Sequence, residues 1–187
     1  MFQLVAIAAS AGGLSALTTV LAEMPAEFPL PIAVVQHVDP THRSLIADIL
    51  ARRTPLKVKQ AEAGERLLAG VVYIAPPGSH MLVRADRSVQ LTQTEPVHFV
   101  RPSADQLFES AAQALGTVIG VILSGSGSDG AGGAVAIKGA GGAVIAQDEA
   151  SAAFFGMPQA AIAMGVVDFV LPLGQIAQRL IDLARTT

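Results

Sequence analysis

The chain has neither cysteine nor tryptophan. Without cysteine there is no disulfide framework, no thiol nucleophile and no cysteine-ligated metal site. Aromatic residues are scarce, with seven Phe and one Tyr, so the core must be built from Val, Ile, Leu and Ala. That composition suits buried parallel strands flanked by helices. Charge is also sparse: 14% of residues are Asp, Glu, Lys or Arg, the net charge is −3 and no polybasic run occurs. Such a balance argues against nucleic acid as a partner, and a chain 51% hydrophobic is not disordered. The opening stretch Met1–Ala9 carries no basic n-region and is too short to span a bilayer. It runs directly into a glycine turn, as a first core strand does, and the cytoplasm is the expected location.

What is present is a recurrence of short apolar runs bounded by Gly, Pro or polar residues. Strands are expected near Leu4–Ala9, Pro31–Gln36, Leu56–Gln60, Val71–Ala75, Val118–Leu123, Ala143–Ala146 and Val167–Leu171. Helical spacing fills Leu14–Leu21, Ser44–Arg52, Ala104–Leu115, Ala131–Lys138 and Ile176–Ala184. Alternating strand and helix predict a three-layer α/β/α fold around a mostly parallel sheet of about seven strands. Met81–Arg84 and Val89–Thr92, separated by Ala85–Ser88, predict an inserted antiparallel hairpin. Arg101-Pro102-Ser103 opens a helix with Ser103 as its N-cap. No linker or repeat interrupts residues 1–187, which read as one domain.

In open parallel sheets, ligands gather beyond the carboxyl ends of the strands. The residues just past each strand are therefore the informative ones. Ser10-Ala11-Gly12-Gly13 follows the first strand and His37 the second, while Ser124–Gly130, with Asp129, follows the strand near residue 120. A serine hydroxyl becomes nucleophilic when an imidazole takes its proton and a carboxylate fixes the imidazole tautomer. Ser10, His37 and Asp129 supply those three groups. Backbone N–H groups near Ala11 and in the Ser126–Gly127 loop are expected to receive the oxyanion, with Gly12 and Gly13 allowing close approach. Each residue also has a plainer reading. Ser10 and Asp129 could be helix caps, and His37 a packed loop histidine. His42, His80 and His98 are scattered without metal-ligand spacing, so neither metal nor cofactor is expected. Arg43, Arg52 and Arg53 read as a solvated helix face. Met157 and Phe154-Phe155 read as core or loop packing.

A rival fingerprint overlaps the last loop. Gly125, Gly127 and Gly130 match G-x-G-x-x-G between strand and helix, with Asp148 and Glu149 near the spacing of a ribose-binding acid. A dinucleotide site there would place its pyrophosphate where Asp129 already brings negative charge. The stretch after Gly130 is also short for a second mononucleotide half.

Taken together, the loops resemble the catalytic domain of the bacterial chemotaxis receptor methylesterases, the CheB family. The likeness runs through Ile7–Gly13, Val35–His37, Glu62–Glu65, Gly70–Pro76, Arg101–Asp105, Gly127–Ala131, Ala146–Ser151 and Phe155–Pro158. It implies Ser10 as nucleophile, His37 as general base and Asp129 as orienting carboxylate. It further implies hydrolysis of γ-glutamyl methyl esters on the cytoplasmic helices of chemoreceptors, for sensory adaptation, with deamidation of receptor glutamines as a second reaction at the same carbonyl. Methylated receptor tails are the implied partner, and the protein is not membrane-embedded. The sequence departs from the family pattern at Ala8 and Ala11, where Gly and Thr are usual, at Ser126, where Met is usual, and at Val100, where His is common. These departures bear on oxyanion geometry and substrate preference. The family's usual receiver domain is not in this chain, so either the protein is free-standing, with a receiver or other chemosensory protein as a separate partner, or the chain is a piece of a longer protein. Against the enzyme stand two other readings: a catalytically idle receptor-docking module and the dinucleotide-binding domain.

Overall fold

The computed structural model describes residues 1–38 and 44–185. His42 and Arg43, named in the sequence reading, lie outside the described residues.

Among the described residues, seven strands form one sheet, and every pairing within it is parallel. They are β1 (Val5–Ala9), β2 (Ile32–Gln36), β3 (Lys57–Gln60), β4 (Val71–Ile74), β7 (Ile119–Ile122), β8 (Ala143–Gln147) and β9 (Phe169–Leu171), in the order β3-β4-β2-β1-β7-β8-β9. β5 (His80–Val83) and β6 (Val89–Thr92) pair antiparallel as a separate hairpin, as expected. The sequence placed the hairpin's first strand one residue late, because His80 already pairs with Thr92 while Arg84 belongs to the turn.

The central strands are buried on both faces, which is why they read as continuous apolar runs rather than alternating ones. Successive side chains point to opposite sides. Val5, Ile7 and Ala9 of β1 enter a core shared with α1 (Gly13–Ala22), α2 (Ile46–Ala51) and α6 (Leu173–Arg185). Ala6 and Ala8 enter a second core with α3 (Ala104–Leu115), α4 (Ala131–Gly139), α5 (Gly156–Ala163) and the hairpin. The result is a three-layer α/β/α sandwich. Helix α5 is not among the segments with helical spacing in the sequence, where its Met157 reads only as core or loop packing. It opens on Gly156 and carries Pro158 in its first turn, so its short apolar sequence has no helical face to detect. Tertiary burial of Met157 and Ala161 holds it against the second core.

Two glycines set the spacing around β7. A Cβ on Gly120 would stand 2.7 Å from Ile137 Cδ1, and one on Gly133 would stand 2.4 Å from Phe108 Cβ. Both distances are impossible for real carbons, so bare backbone at these points lets α3 and α4 pack closely. That close approach brings the start of α3 beside the loop that follows β7.

Candidate active site

β1 lies between β2 and β7, with β2, β3 and β4 forming the sheet on one side of it and β7, β8 and β9 on the other. This is the switch point at which open α/β sheets leave a crevice. Ser10 follows β1, His37 follows β2 and Asp129 lies in the loop after β7. All three line one depression of about 360 Å³, with His98, Phe99, Val100 and Ser126–Ser128 as its other walls.

The backbone around Ser10 is clamped from both sides. Ser10 N–H donates to Ser124 O at 3.0 Å, and His37 N–H donates to Ala9 O at 3.0 Å. The buried Gln36 side chain then joins the two strand ends: its Nε2 donates to Ser10 O at 2.8 Å and to His37 O at 3.0 Å. Neither Ser10 nor Asp129 caps the helix that follows it. Gly12 and Gly130, both with left-handed φ, occupy those N-cap positions without a side-chain cap bond.

Asp129 is 3% exposed, and each of its oxygens accepts two hydrogen bonds. Oδ2 receives His37 Nε2–H at 2.7 Å and Ala104 N–H at 2.6 Å. Oδ1 receives the Ser103 hydroxyl at 2.7 Å and Asp105 N–H at 3.0 Å. The carboxylate thus sits at the N-terminus of α3, where free N–H groups and the helix dipole favour negative charge. Burial alone would push its carboxyl up. The bonds from His37, Ala104, Asp105 and Ser103 outweigh that and hold it below the usual carboxylate range. An ionised partner only accepts, so His37 carries its proton on Nε2 and presents Nδ1 as the lone-pair nitrogen. Among the described residues, no hydrogen bond joins the ring to Ser10 Oγ. Catalytic hydrogen bonds are often long until substrate closes them.

The N–H groups of Ala11, Gly12, Ser126 and Gly127 find no acceptor among the described residues. Gly13 N–H is committed to Ser10 O at 2.8 Å. The glycines themselves serve close packing more than substrate approach. A Cβ on Gly13 would meet Gln36 Oε1 at 2.2 Å, one on Gly12 Ser124 Oγ at 2.8 Å, and one on Gly125 Met157 Sδ at 2.3 Å. Gly127 alone of these glycines is open around its Cα, and it has a φ of +88°.

Sequence reasoning missed a second layer of residues. Asp105 Oδ1 accepts Gly130 N–H at 3.0 Å and Gly133 N–H at 2.7 Å, and its Oδ2 pairs with His98 Nε2 at 3.0 Å. His80 is fully buried; its Nδ1 accepts Ser103 N–H at 3.1 Å and its Nε2 donates to Glu95 O at 3.0 Å. The sequence contained Asp105 and Ser103 only as a helix opening, and nothing local told which distant backbone they would meet. The dinucleotide reading is corrected here. The N–H groups at the start of α4 that would bind a pyrophosphate already hold the Asp105 carboxylate. Asp148, the would-be ribose acid, instead accepts from Ser151 N–H at 3.0 Å and from the Ser151 hydroxyl at 2.5 Å. Of the departures, Ala8 is fully buried in the core and does not line the depression. Ser126 and Val100 line it.

A fully parallel sheet with serine, histidine and a hydrogen-bonded aspartate at its switch point defines an α/β domain with the residue set of a serine hydrolase. The chain belongs to the CheB methylesterase family, whose model matches residues 5–180. It is 46% identical over 184 residues to protein-glutamate methylesterase/protein-glutamine glutaminase 2 of Anaeromyxobacter dehalogenans, covering 98% of this chain and 54% of that one. It is 45% identical over 182 residues to the protein-glutamate methylesterase FrzG of Myxococcus xanthus, covering 97% of this chain and 54% of the relative. The chain therefore spans about half the length of these curated relatives. Among solved structures, the catalytic domain of Thermotoga maritima CheB methylesterase superimposes with a TM-score of 0.94 at 38% identity, covering 98% of this chain and 99% of that one. Among the described residues no helix is long and apolar enough to cross a membrane.

Proposed function

We propose that this chain is a protein-glutamate methylesterase that hydrolyses γ-glutamyl methyl esters on the cytoplasmic helices of chemoreceptors. The observation that carries the reading is the 2.7 Å bond between His37 Nε2 and Asp129 Oδ2, in a depression that also holds Ser10. In this reading, Ser10 Oγ attacks the ester carbonyl while His37 Nδ1 takes the hydroxyl proton. The imidazolium that forms is stabilised by the buried Asp129 carboxylate. The oxyanion is received by N–H groups from the Ala11–Gly12 turn and the Ser126–Gly127 loop, donors that have no acceptor among the described residues. Collapse of the tetrahedral intermediate passes the proton from His37 to the departing methoxide, releasing methanol and leaving an acyl ester on Ser10. Water, deprotonated by the same ring, cleaves that ester and frees the glutamate. With glutamine as substrate the same steps release ammonia, so deamidation needs no further group. The ring is used in the orientation opposite to the familiar protease triad, with the carboxylate on Nε2 and the serine side served by Nδ1.

The names of the relatives support this substrate class, and a receptor tail in the cytoplasm is the partner and place it implies. The deciding experiment is methanol release from methylated receptor membranes by wild type and Ser10→Ala. Release that disappears in a folded Ser10→Ala variant is the expected result. Binding to the receptor without release by the wild type would leave a docking module instead.

A further inference from the structure

Asp105 belongs to no step of that chemistry, yet it is 5% exposed, and a buried carboxylate is costly unless its hydrogen bonds are filled. Its position mirrors that of Asp129. Asp129 precedes α4 and receives the N–H groups at the start of α3. Asp105 lies in the first turn of α3 and receives Gly130 N–H and Gly133 N–H at the start of α4. Each carboxylate is thus held by the other's helix, and each carries a histidine: His37 on Asp129 and His98 on Asp105. We propose that Asp105 is a positioning residue that fixes the orienting carboxylate of Asp129 through the adjoining Gly130 N–H. The proposal rests on the reading of Asp129 given above.

The loop that delivers Asp129 needs such an anchor. Across Ser126, Gly127 and Ser128 its N–H groups find no acceptor among the described residues, and its return into α4 is tied by Ala131 N–H on Ser128 O and by the Asp105 bonds. The bareness of Gly133 makes room for this. A Cβ there would come within 3.2 Å of the Asp105 backbone. An ordinary cap for α4 needs only a short polar side chain at its own N-cap position. Here that position is Gly130 and the acceptor comes from the neighbouring helix, so α3 and α4 cannot shift without moving Asp129 against His37.

The test separates positioning from mere stability, and separates both from the methylesterase reading. Histidine-¹⁵N-labelled protein is compared as wild type, Asp105→Ala and Asp105→Asn, observing the ring N–H proton of His37, assigned by its loss in His37→Gln. The expected result is a slowly exchanging ring N–H in wild type that is lost in Asp105→Ala. It should return in Asp105→Asn, whose carbonyl oxygen still accepts from Gly130 and Gly133. Methanol release should follow it, with kcat down by about 10- to 100-fold in Asp105→Ala at little change in KM. A folded Asp105→Ala variant that keeps the wild-type ring signal overturns the proposal, whatever its esterase activity. A signal that responds to Asp105 in a protein that releases no methanol overturns the methylesterase reading alone. Should Asp105→Ala not fold, Asp105→Glu carries the test. Its carboxylate is displaced by one methylene, so an unchanged ring signal there overturns the proposal.

Discussion

Asp129 was legible in the sequence as one of two things, an orienting carboxylate or a cap for the helix beginning at Ala131. It caps a different helix, and that changes what a substitution does. All four of its hydrogen bonds are accepted, two on each oxygen. An amide in either orientation therefore turns an NH₂ toward two donors. Asp129→Asn should then lose stability as well as turnover, whereas at an ordinary N-cap Asn replaces Asp without penalty. For turnover the expected loss is on the order of 10²- to 10⁴-fold, by analogy with the same change in a serine-protease triad. Thermal unfolding and methanol release on one preparation check both, and a variant of normal stability and release would remove Asp129 from the site. The same environment predicts a pH dependence. Because the folded-state carboxyl is held below its ordinary value of about 3.9, the stability it contributes is fully present above that value. It is lost as pH falls through the depressed folded value. The melting temperatures of wild type and Asp129→Asn should accordingly differ most at neutral pH and converge in strong acid. A gap that stays constant down to strong acid would contradict the assignment.

Among the elements, the helices show most clearly which features a sequence reveals. α3 is found at its expected bounds, Ala104–Leu115, because Ser103 is a capping residue and the apolar positions recur at helical spacing. α5 escaped notice because it has no polar face and contains Pro158. α4 was visible, but not the reason for its consecutive glycines. Gly133 faces Phe108, where an added Cβ would stand 2.4 Å from the phenylalanine Cβ, whereas Gly139 of the same helix has open space around it. Gly133→Ala should overpack the α3–α4 contact, costing about 1–3 kcal/mol, and should lower turnover by displacing the start of α3 from Asp129. Gly139→Ala should leave stability unchanged or raise it by up to about 1 kcal/mol, since alanine is the better helix former. Denaturant unfolding of the pair makes the comparison within one helix. Equal stabilities would show that the close contact has no energetic weight.

Across the whole molecule, the G-x-G-x-x-G loop lines the depression that holds Ser10 and His37, and it is closed to a pyrophosphate because another helix supplies the anion for α4. Its N-terminal N–H groups point at Asp105, so a pyrophosphate would have to displace a buried carboxylate. Millimolar NAD or NADP should leave the melting temperature unchanged, since only a ligand that binds the folded state raises it. A clear upward shift would restore the nucleotide reading.

What the sequence determined by itself was whatever rests on local pattern: the alternation of buried strands and helices, the hairpin, the Ser103 cap, and Ser10, His37 and Asp129 as residues just past a strand or in the loop that follows one. Periodicity and turn chemistry act over a few residues, so they can be read without the fold. The tertiary structure alone decided that β7 returns beside β1, which brings a serine and an aspartate 119 positions apart in the sequence to one crevice. It also decided which donors meet which carboxylate. Ala104, Asp105, Gly130 and Gly133 offer identical backbone N–H groups, and only the close packing of α3 on α4, through Gly133 against Phe108, assigns each pair of them to the aspartate of the other helix.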